Sequence, residues 1–222
     1  MKKKLLIIGS GGHAKSILDS FRKNNINEAV GFIDEYKNKG ETINDLKIVG
    51  KIRDIPNFVK NNDVNCFIIG VGDNFLRKSI YEQIISLKLK NFKPISIIDE
   101  TATISSYSSI GKGCYIAPKT VIQTSTKIGI FNVINTGTII EHDNKIGNFS
   151  STAPGCVTGG NVKVGNLCHL ALSAVIKNNI SLGSNTIVGS NSYINKNCKS
   201  NSIYFGNPGK FYRKRKLGEK YL

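Results

Sequence analysis

The sequence predicts two folds in tandem: a small α/β domain with a parallel sheet, then a long parallel β-helix of three-sided coils. Three observations predict it. From Ile98 onward an aliphatic residue recurs every sixth position; a glycine recurs at one corner every eighteenth; and the preceding 95 residues lack both periods but alternate apolar strand-like runs with amphipathic helical ones.

In the first domain, residues 5–8 (Leu-Leu-Ile-Ile) read as a buried strand. Residues 12–23 read as a helix that places Ile17, Leu18 and Phe21 on one face. Residues 30–34 and 66–71 read as further buried strands, residues 74–88 as a second helix, and residues 95–98 as the lead into the repeat. Strands alternating with helices imply a parallel sheet. Between the first strand and helix, Gly9-Ser10-Gly11-Gly12-His13-Ala14 fits G-x-G-x-x-A, and Asp34 follows at the distance of a ribose-binding carboxylate. Bare amides at a helix N-terminus hold phosphate. The domain has room for one mononucleotide half only, so a nucleotide with one diphosphate, such as a nucleotide sugar, fits better than NAD. A plain tight turn between core elements is the structural alternative.

In the repeat, the positions from Ile98 through Ile104, Ile110 and onward to Ile194 number seventeen; fifteen are aliphatic and two (Thr152, Thr158) are threonine, with no insertion. Neither a helix nor an ordinary strand has period six. Gly111, Gly129, Gly147, Gly165 and Gly183 each follow an aliphatic position, so three hexads make one coil. Glycine there is expected to relieve unusual dihedrals at a sharp corner. Two residues before each aliphatic the side chain is usually small, with Val162 and Ile180 as mild exceptions, which lets a triangular coil close. Cys114, Cys156, Cys168 and Cys198 occupy that position, so they are expected to be buried rather than nucleophilic. No cysteine spacing matches a metal site, and no metal is expected.

No run of 18 uncharged apolar residues exists, which excludes a spanning helix. The start Met1-Lys2-Lys3-Lys4 followed by four apolar residues mimics a signal peptide but is too short, so the protein is expected to be cytoplasmic. The net charge of +16 and the tail segment Lys210-Phe211-Tyr212-Arg213-Lys214-Arg215-Lys216 favour either polyanionic ligands or a solvated basic surface. The expected domains are residues 1–95, 96–205 and a basic tail, 206–222.

The coils at about residues 98–200 resemble the hexapeptide-repeat acyltransferases, which implies a left-handed β-helix. The combination is narrower. Gly-Ser-Gly-Gly-His, then Gly31-Phe32-Ile33-Asp34-Glu35, then Gly70-Val71-Gly72-Asp73-Asn74 with Arg77, then Ile140-Glu141-His142-Asp143, then Gly206-Asn207-Pro208-Gly209-Lys210, resembles the sugar acetyltransferase family typified by PglD and NeuD. Gly209 stands where that family's ending has Ala.

The resemblance implies His142 as general base and Asp143 as the carboxylate that orients it, a pairing suited to proton transfer near neutral pH. Glu141 would then be a flanking surface residue. It implies substrate contacts from Gly9, Ser10, Gly11, Gly12, His13, Asp34, Glu35, Lys37, Gly72, Asn74 and Arg77. It also implies acetyl-CoA lying against Ala153, Gly160, Leu172, Ser173 and Ser190. The implied partners are a nucleotide sugar, acetyl-CoA as co-substrate, and two further copies forming a homotrimer with active sites between subunits; nucleic acid is not among them. Ser151 stands where many relatives carry a second histidine, and His169, just before Leu170, reads as structural. The implied activity is N-acetylation of a nucleotide-linked 4-amino-4,6-dideoxy sugar in surface-glycan synthesis. The alternatives are O-acetylation of sialic acid or a related sugar, and a β-helix that only binds.

Overall fold

The computed structural model describes residues 3–23 and 28–221. Met1 and Lys2 of the signal-like start, and Leu222 of the tail, lie outside them.

The first domain contains β1 (Lys4–Ile8), α1 (Gly12–Arg22), β2 (Glu28–Ile33), β3 (Thr42–Ile43), β4 (Leu46–Gly50), α2 (Ile55–Asn62), β5 (Cys66–Ile69), α3 (Asn74–Ser86) and β6 (Lys93–Pro94). The sheet order is β3-β4-β2-β1-β5-β6, parallel throughout except for the β3–β4 hairpin. All four β5 residues and four of the five in β1 are buried, as in a parallel strand covered on both faces. Because β1 is central, the chain crosses to β2 on one side and to β5 on the other, and a crevice opens at the carboxyl ends of the strands. The hairpin β3–β4 and the helix α2 carry no strong period and were not anticipated; α2 begins with Pro56 in its first turn and ends on Asp63 in the left-handed region.

From Ile97–Ile98 the chain winds into a left-handed parallel β-helix of two-residue strands, stacked in three sheets with partners 18 residues apart. The aliphatic of each strand points inward and forms one continuous core with the four small-position cysteines. Those thiols are buried and unpaired, and burial raises their pKa to about 11 for Cys114, Cys156 and Cys168 and about 12 for Cys198. They are inert packing groups.

The repeated corner glycines do a different job from the one expected. Their φ angles are not positive; instead the next coil lies against them, and a Cβ on Gly147 or Gly183 would come 2.7 Å from Gly165 C or 2.4 Å from Ser200 N. The left-handed residue lies two positions after each of these glycines, for example Phe149 (φ 54°) and Asn185 (φ 57°). Glycine recurs because the coils stack closely, not because the chain turns there.

The outward columns give the three faces different characters. One column runs Ile97, Tyr115, Val133, Ser151, His169, Ile187 and packs against the first domain and the C-terminal segment. A second runs Val121, Ile139, Val157, Val175, Tyr193 and is a partly exposed apolar stripe. The third presents the exposed Lys127, Lys145 and Lys163. The first domain is fixed to the covered face by α1, by stacked Phe131 and Phe149 against Tyr81, and by the buried Asp99, which accepts from Ser20 Oγ (2.7 Å) and Lys23 Nζ (3.1 Å). The basic tail is not free: Ser202–Gly206 and Gly209–Lys214 form an antiparallel hairpin on the last coils.

Candidate functional site

The crevice at the sheet's carboxyl edge encloses about 480 Å³ and is lined by Gly9–Gly12, His13, the Asp34–Tyr36 segment, Gly70–Gly72, and Leu76, Ile80 and Gln83 of α3. Gly11 caps α1 with extended backbone and no side-chain partner, so the first-turn amides of Gly12, His13 and Ala14 remain free at the positive end of the helix dipole. A Cβ on Gly11 or Gly12 would meet nothing within 4 Å, so the space over these amides is open. Such an open helix terminus has the geometry to receive a phosphate-sized anion.

Asp34, expected to contact ribose, lines the crevice, and its carboxylate is also held within the turn. Its Oδ2 accepts from Ser10 N (3.1 Å) and Ser10 Oγ (2.5 Å), and its Oδ1 from Tyr36 N (2.9 Å) and Lys37 N (3.2 Å). Burial acts to raise its pKa, but these hydrogen bonds outweigh it and hold the carboxyl below its usual range. Asp34 therefore ties the glycine-rich turn to the end of β2, and the Ser10 side chain is consumed in the same bond. Glu35 lines the crevice while its Oε1 accepts from Ile52 N; Lys37 takes part through its backbone.

Asn74 and Arg77, expected to touch substrate, do not line the crevice. Both are buried beneath it, where α3 meets the β-helix. Arg77 donates to Phe131 O, Val71 O, Gly72 O, Asn74 Oδ1 and Ser150 O, filling every guanidinium N–H with a neutral oxygen. Burial lowers its pKa to about 10, so it stays charged. Asn74 completes the joint by donating to Cys168 O. The Gly70–Gly72 segment and α3 are thus soldered to the coils by a buried cation.

A second cavity of about 420 Å³ adjoins the first, since His13 and Gly72 line both. Its walls come from the β-helix: Ser151 and His169 of the covered column, Asn135, and the turn residues Ala153, Leu172 and Ser190. The described lining contains no Lys, Arg, Asp or Glu. Its two histidines are neutral at ordinary pH: burial, then the charge of Arg77, lowers His13 to about 4, and the same causes with Arg215 lower His169 to about 4. His169 Nδ1 pairs with Ser151 Oγ at 2.8 Å, and the buried Nε2 of His13 has no partner. Ser173 adjoins Leu172 at the rim in the left-handed region.

His142 and Asp143 stand elsewhere, on the corner between the apolar stripe and the lysine face. His142 Nδ1 is 2.7 Å from Asp143 Oδ2, and both side chains are more than half exposed. The ring lies over Gly160 of the next coil, where a Cβ would come 2.5 Å from His142 Cε1 and 2.6 Å from Nε2. Gly160, expected along acetyl-CoA, is the floor under this imidazole. The sequence reading gave no role to the Ser151–His169 pair, to Tyr36 or to Tyr221. The 18-residue spacing of Ser151 and His169 places them in one column and could have revealed that pair; nothing in the sequence marks Tyr221.

Residues 4–84 match the family model of the PglD N-terminal domain. Over 128 residues the chain is 34% identical to uncharacterized protein L142 of Acanthamoeba polyphaga mimivirus; the match covers 58% of this chain and about a quarter (24%) of that relative. Among solved structures the chain is similar to PerB from Caulobacter crescentus in complex with CoA and GDP-perosamine (24% identity, TM-score 0.87, 95% of this chain and 97% of that one). It is also similar to the acetyltransferase domain of PglB from Neisseria gonorrhoeae with acetyl coenzyme A (24%, 0.86, 96% and 100%). WeeI from Acinetobacter baumannii matches comparably (21%, 0.85, 95% and 100%).

Proposed function

We propose that the chain is a cytoplasmic acetyl-CoA-dependent N-acetyltransferase acting on a nucleotide-linked amino sugar, of the 4-amino-4,6-dideoxy class, in surface-glycan synthesis. The observation that carries this reading is the pair of adjoining cavities: one offers free helix-terminal amides for a diphosphate, and the other, reached past His13, is uncharged and polar enough for a sugar ring. A similar protein is named as a GDP-perosamine N-acetyl transferase, which supports the same substrate class. No Lys, Arg, Asp or Glu is among the described residues that line the second cavity, which supports an uncharged sugar ring over the carboxylate of sialic acid.

In this reaction the sugar amine attacks the thioester carbonyl carbon, and the C–S bond breaks. His142, its tautomer fixed by Asp143, takes the amine proton, and the leaving thiolate is protonated to free CoA. The pantetheine arm would lie along Ala153, Leu172 and Ser190, with Leu172 giving apolar cover.

His142 and the second cavity flank the two edges of one face, the partly exposed apolar stripe. Three copies packed by that stripe around a threefold axis bring the His142 corner of each against the cavity edge of its neighbour. This is the support for a homotrimer with sites between subunits. Thiol release from acetyl-CoA with GDP-, UDP- and dTDP-4-amino-4,6-dideoxy sugars, against CMP-sialic acid and free sialic acid, tests the reading. Turnover on an amino sugar that His142→Ala reduces by at least about a hundredfold is the expected result. Turnover on sialic acids alone would overturn it.

A further inference from the structure

Charge is distributed unevenly along the chain. Between Asp143 and Glu219 there is no aspartate or glutamate, while the same stretch holds eight lysines and two arginines. The later coils and the hairpin that follows them are thus cationic without internal relief, an asymmetry of the kind that marks an anionic partner. Lysines on an edge strand also discourage unwanted pairing, so charge alone assigns nothing.

The second observation is apolar. The hairpin covers the end of the stacked core: a Cβ on Gly209 would come 2.5 Å from Ile194 Cδ1, and the Phe211 ring stands edge-on to Tyr204 at 5.9 Å. The Phe205 ring lies over Gly189 and holds Tyr212 edge-on at 5.6 Å. Yet Phe211 is 52% exposed, Tyr212 65%, and Leu217, in the turn that follows, 62%. Glu219 draws that turn against the hairpin by accepting from Arg213 Nη2 and from Lys216 N (3.0 Å), which engages the one carboxylate side chain after Asp143. Residues 213–219 line a concavity of about 800 Å³ whose charged groups, Glu219 apart, are Arg213, Lys214, Arg215 and Lys216. Lys210, Lys214 and Lys216 are exposed beside the three apolar side chains in sequence.

We propose that the hairpin and the turn after it dock the protein on an anionic lipid surface, with the lysines at the phosphate headgroups and Phe211, Tyr212 and Leu217 at the acyl boundary. Each part has a physical role there. A Lys or Arg near an anionic leaflet strengthens binding by roughly fivefold. Aromatic rings favour the headgroup boundary, and a leucine gains by leaving water. Solubility accounts for the lysines but not for three large apolar side chains kept in water on the same short segment. Single-stranded nucleic acid would use the rings and the lysines, but Leu217 offers no π-face to a base. The lysine face of the coils is the internal comparison: its column runs Ser109, Lys127, Lys145, Lys163, Ser181, as basic as the hairpin and without an apolar member. The proposal stands apart from the acetyltransferase reading, and its test needs no acceptor sugar.

Full-length protein is sedimented with vesicles of phosphatidylcholine and with vesicles of an equal mixture of phosphatidylcholine and phosphatidylglycerol. The expected result is binding to the mixture alone at about 0.1 M salt, weakened strongly at about 1 M, where the Debye length falls from ~10 Å to ~3 Å. Leu217→Ser should weaken it about tenfold, and Lys214→Gln with Lys216→Gln about twentyfold. The triple variant Lys127→Gln, Lys145→Gln, Lys163→Gln should stay within about threefold of wild type, since its charges stand off the surface by more than a Debye length. The chain has no tryptophan, so Leu217→Trp gives a single reporter whose emission should shift to the blue on the mixed vesicles. Unchanged melting temperatures check that each variant is folded.

A wild type that does not sediment with the mixture at about 0.1 M salt would overturn the proposal. So would a lysine-face triple that weakens binding as much as the hairpin double, since net charge would then suffice. An unshifted Leu217→Trp emission, or full affinity in Leu217→Ser, removes the apolar contact and with it the docking. Binding to a single-stranded oligonucleotide but not to the mixed vesicles assigns the surface to nucleic acid instead.

Discussion

Gly160→Ala separates the placement of His142 from the folding of the β-helix. Gly160 is not in the left-handed region, so alanine is compatible with its backbone. The new Cβ would stand 2.5 Å from His142 Cε1 and 2.6 Å from Nε2, against a carbon contact distance of about 3.5 Å. The ring must therefore move by about 1 Å or swing away, and the 2.7 Å bond from Nδ1 to Asp143 is then strained or broken. Displacing a catalytic group by this amount costs about a hundredfold in rate. His142 is exposed, so the fold has little stake in its position, and the melting temperature should stay within about 2 °C of wild type. Thiol release under saturating acetyl-CoA and acceptor reads the effect, with circular dichroism as the control. A folded Gly160→Ala protein with wild-type kcat would refute the placement of His142 over this glycine as a requirement of catalysis.

Other consequences follow from the remaining groups. Arg77→Met strips five neutral oxygens of their donor in a buried joint and should destabilise the chain by about 3 kcal/mol, lowering the melting temperature by about 10 °C in a calorimetric scan. The lowered pKa of His169 and His13 means that the unfolded chain binds more protons between pH 6.5 and about 4. Stability should thus be full above pH 6.5 and fall as pH drops to 4, with His169 alone contributing about 3 kcal/mol; urea midpoints across that range, flattened in His169→Gln, check it. Gly12→Asp places a carboxylate in open space over the free amides and should leave melting unchanged while weakening nucleotide-sugar binding at least tenfold by calorimetry.

The β-helix was legible because its constraint is repetitive: a stacked core demands the same residue class at every sixth position, and seventeen positions state it together. The glycine-rich turn was legible because a free helix terminus needs bare backbone. What escaped was decided by partners distant in sequence. Arg77 looks like a ligand-binding cation beside a Gly70–Gly72 turn, and only Phe131 O and Ser150 O, 54 and 73 residues away, make it a structural one. Asp34 fits a ribose-binding fingerprint by spacing and lines the crevice, but its bonds to Ser10 of the glycine-rich turn, 24 residues away, are not visible in the sequence. The corner glycines were found by period but misjudged in cause, because close approach between coils and positive φ select the same residue.

The regularity that builds the inner core also frees the outer columns to diverge, and the site lies where one column changes character. Along the covered face the outward residues are Ile97, Tyr115 and Val133, buried and packed against the first domain, and the next two are Ser151 and His169. That change falls where the column enters the second cavity, with Tyr221 and His13 among the other walls. Inward, Ile134, Thr152 and Leu170 continue the core through the same coils. A polar pair can therefore be installed on this face at two steps of the ladder without disturbing the stack, provided something covers it; Ser151 and His169 are buried, with the Tyr221 ring against His169. By the same logic Ile139 and Val157 on the next face, at the level of His142, are only half-buried within one chain, which is the surface the proposed homotrimer would cover.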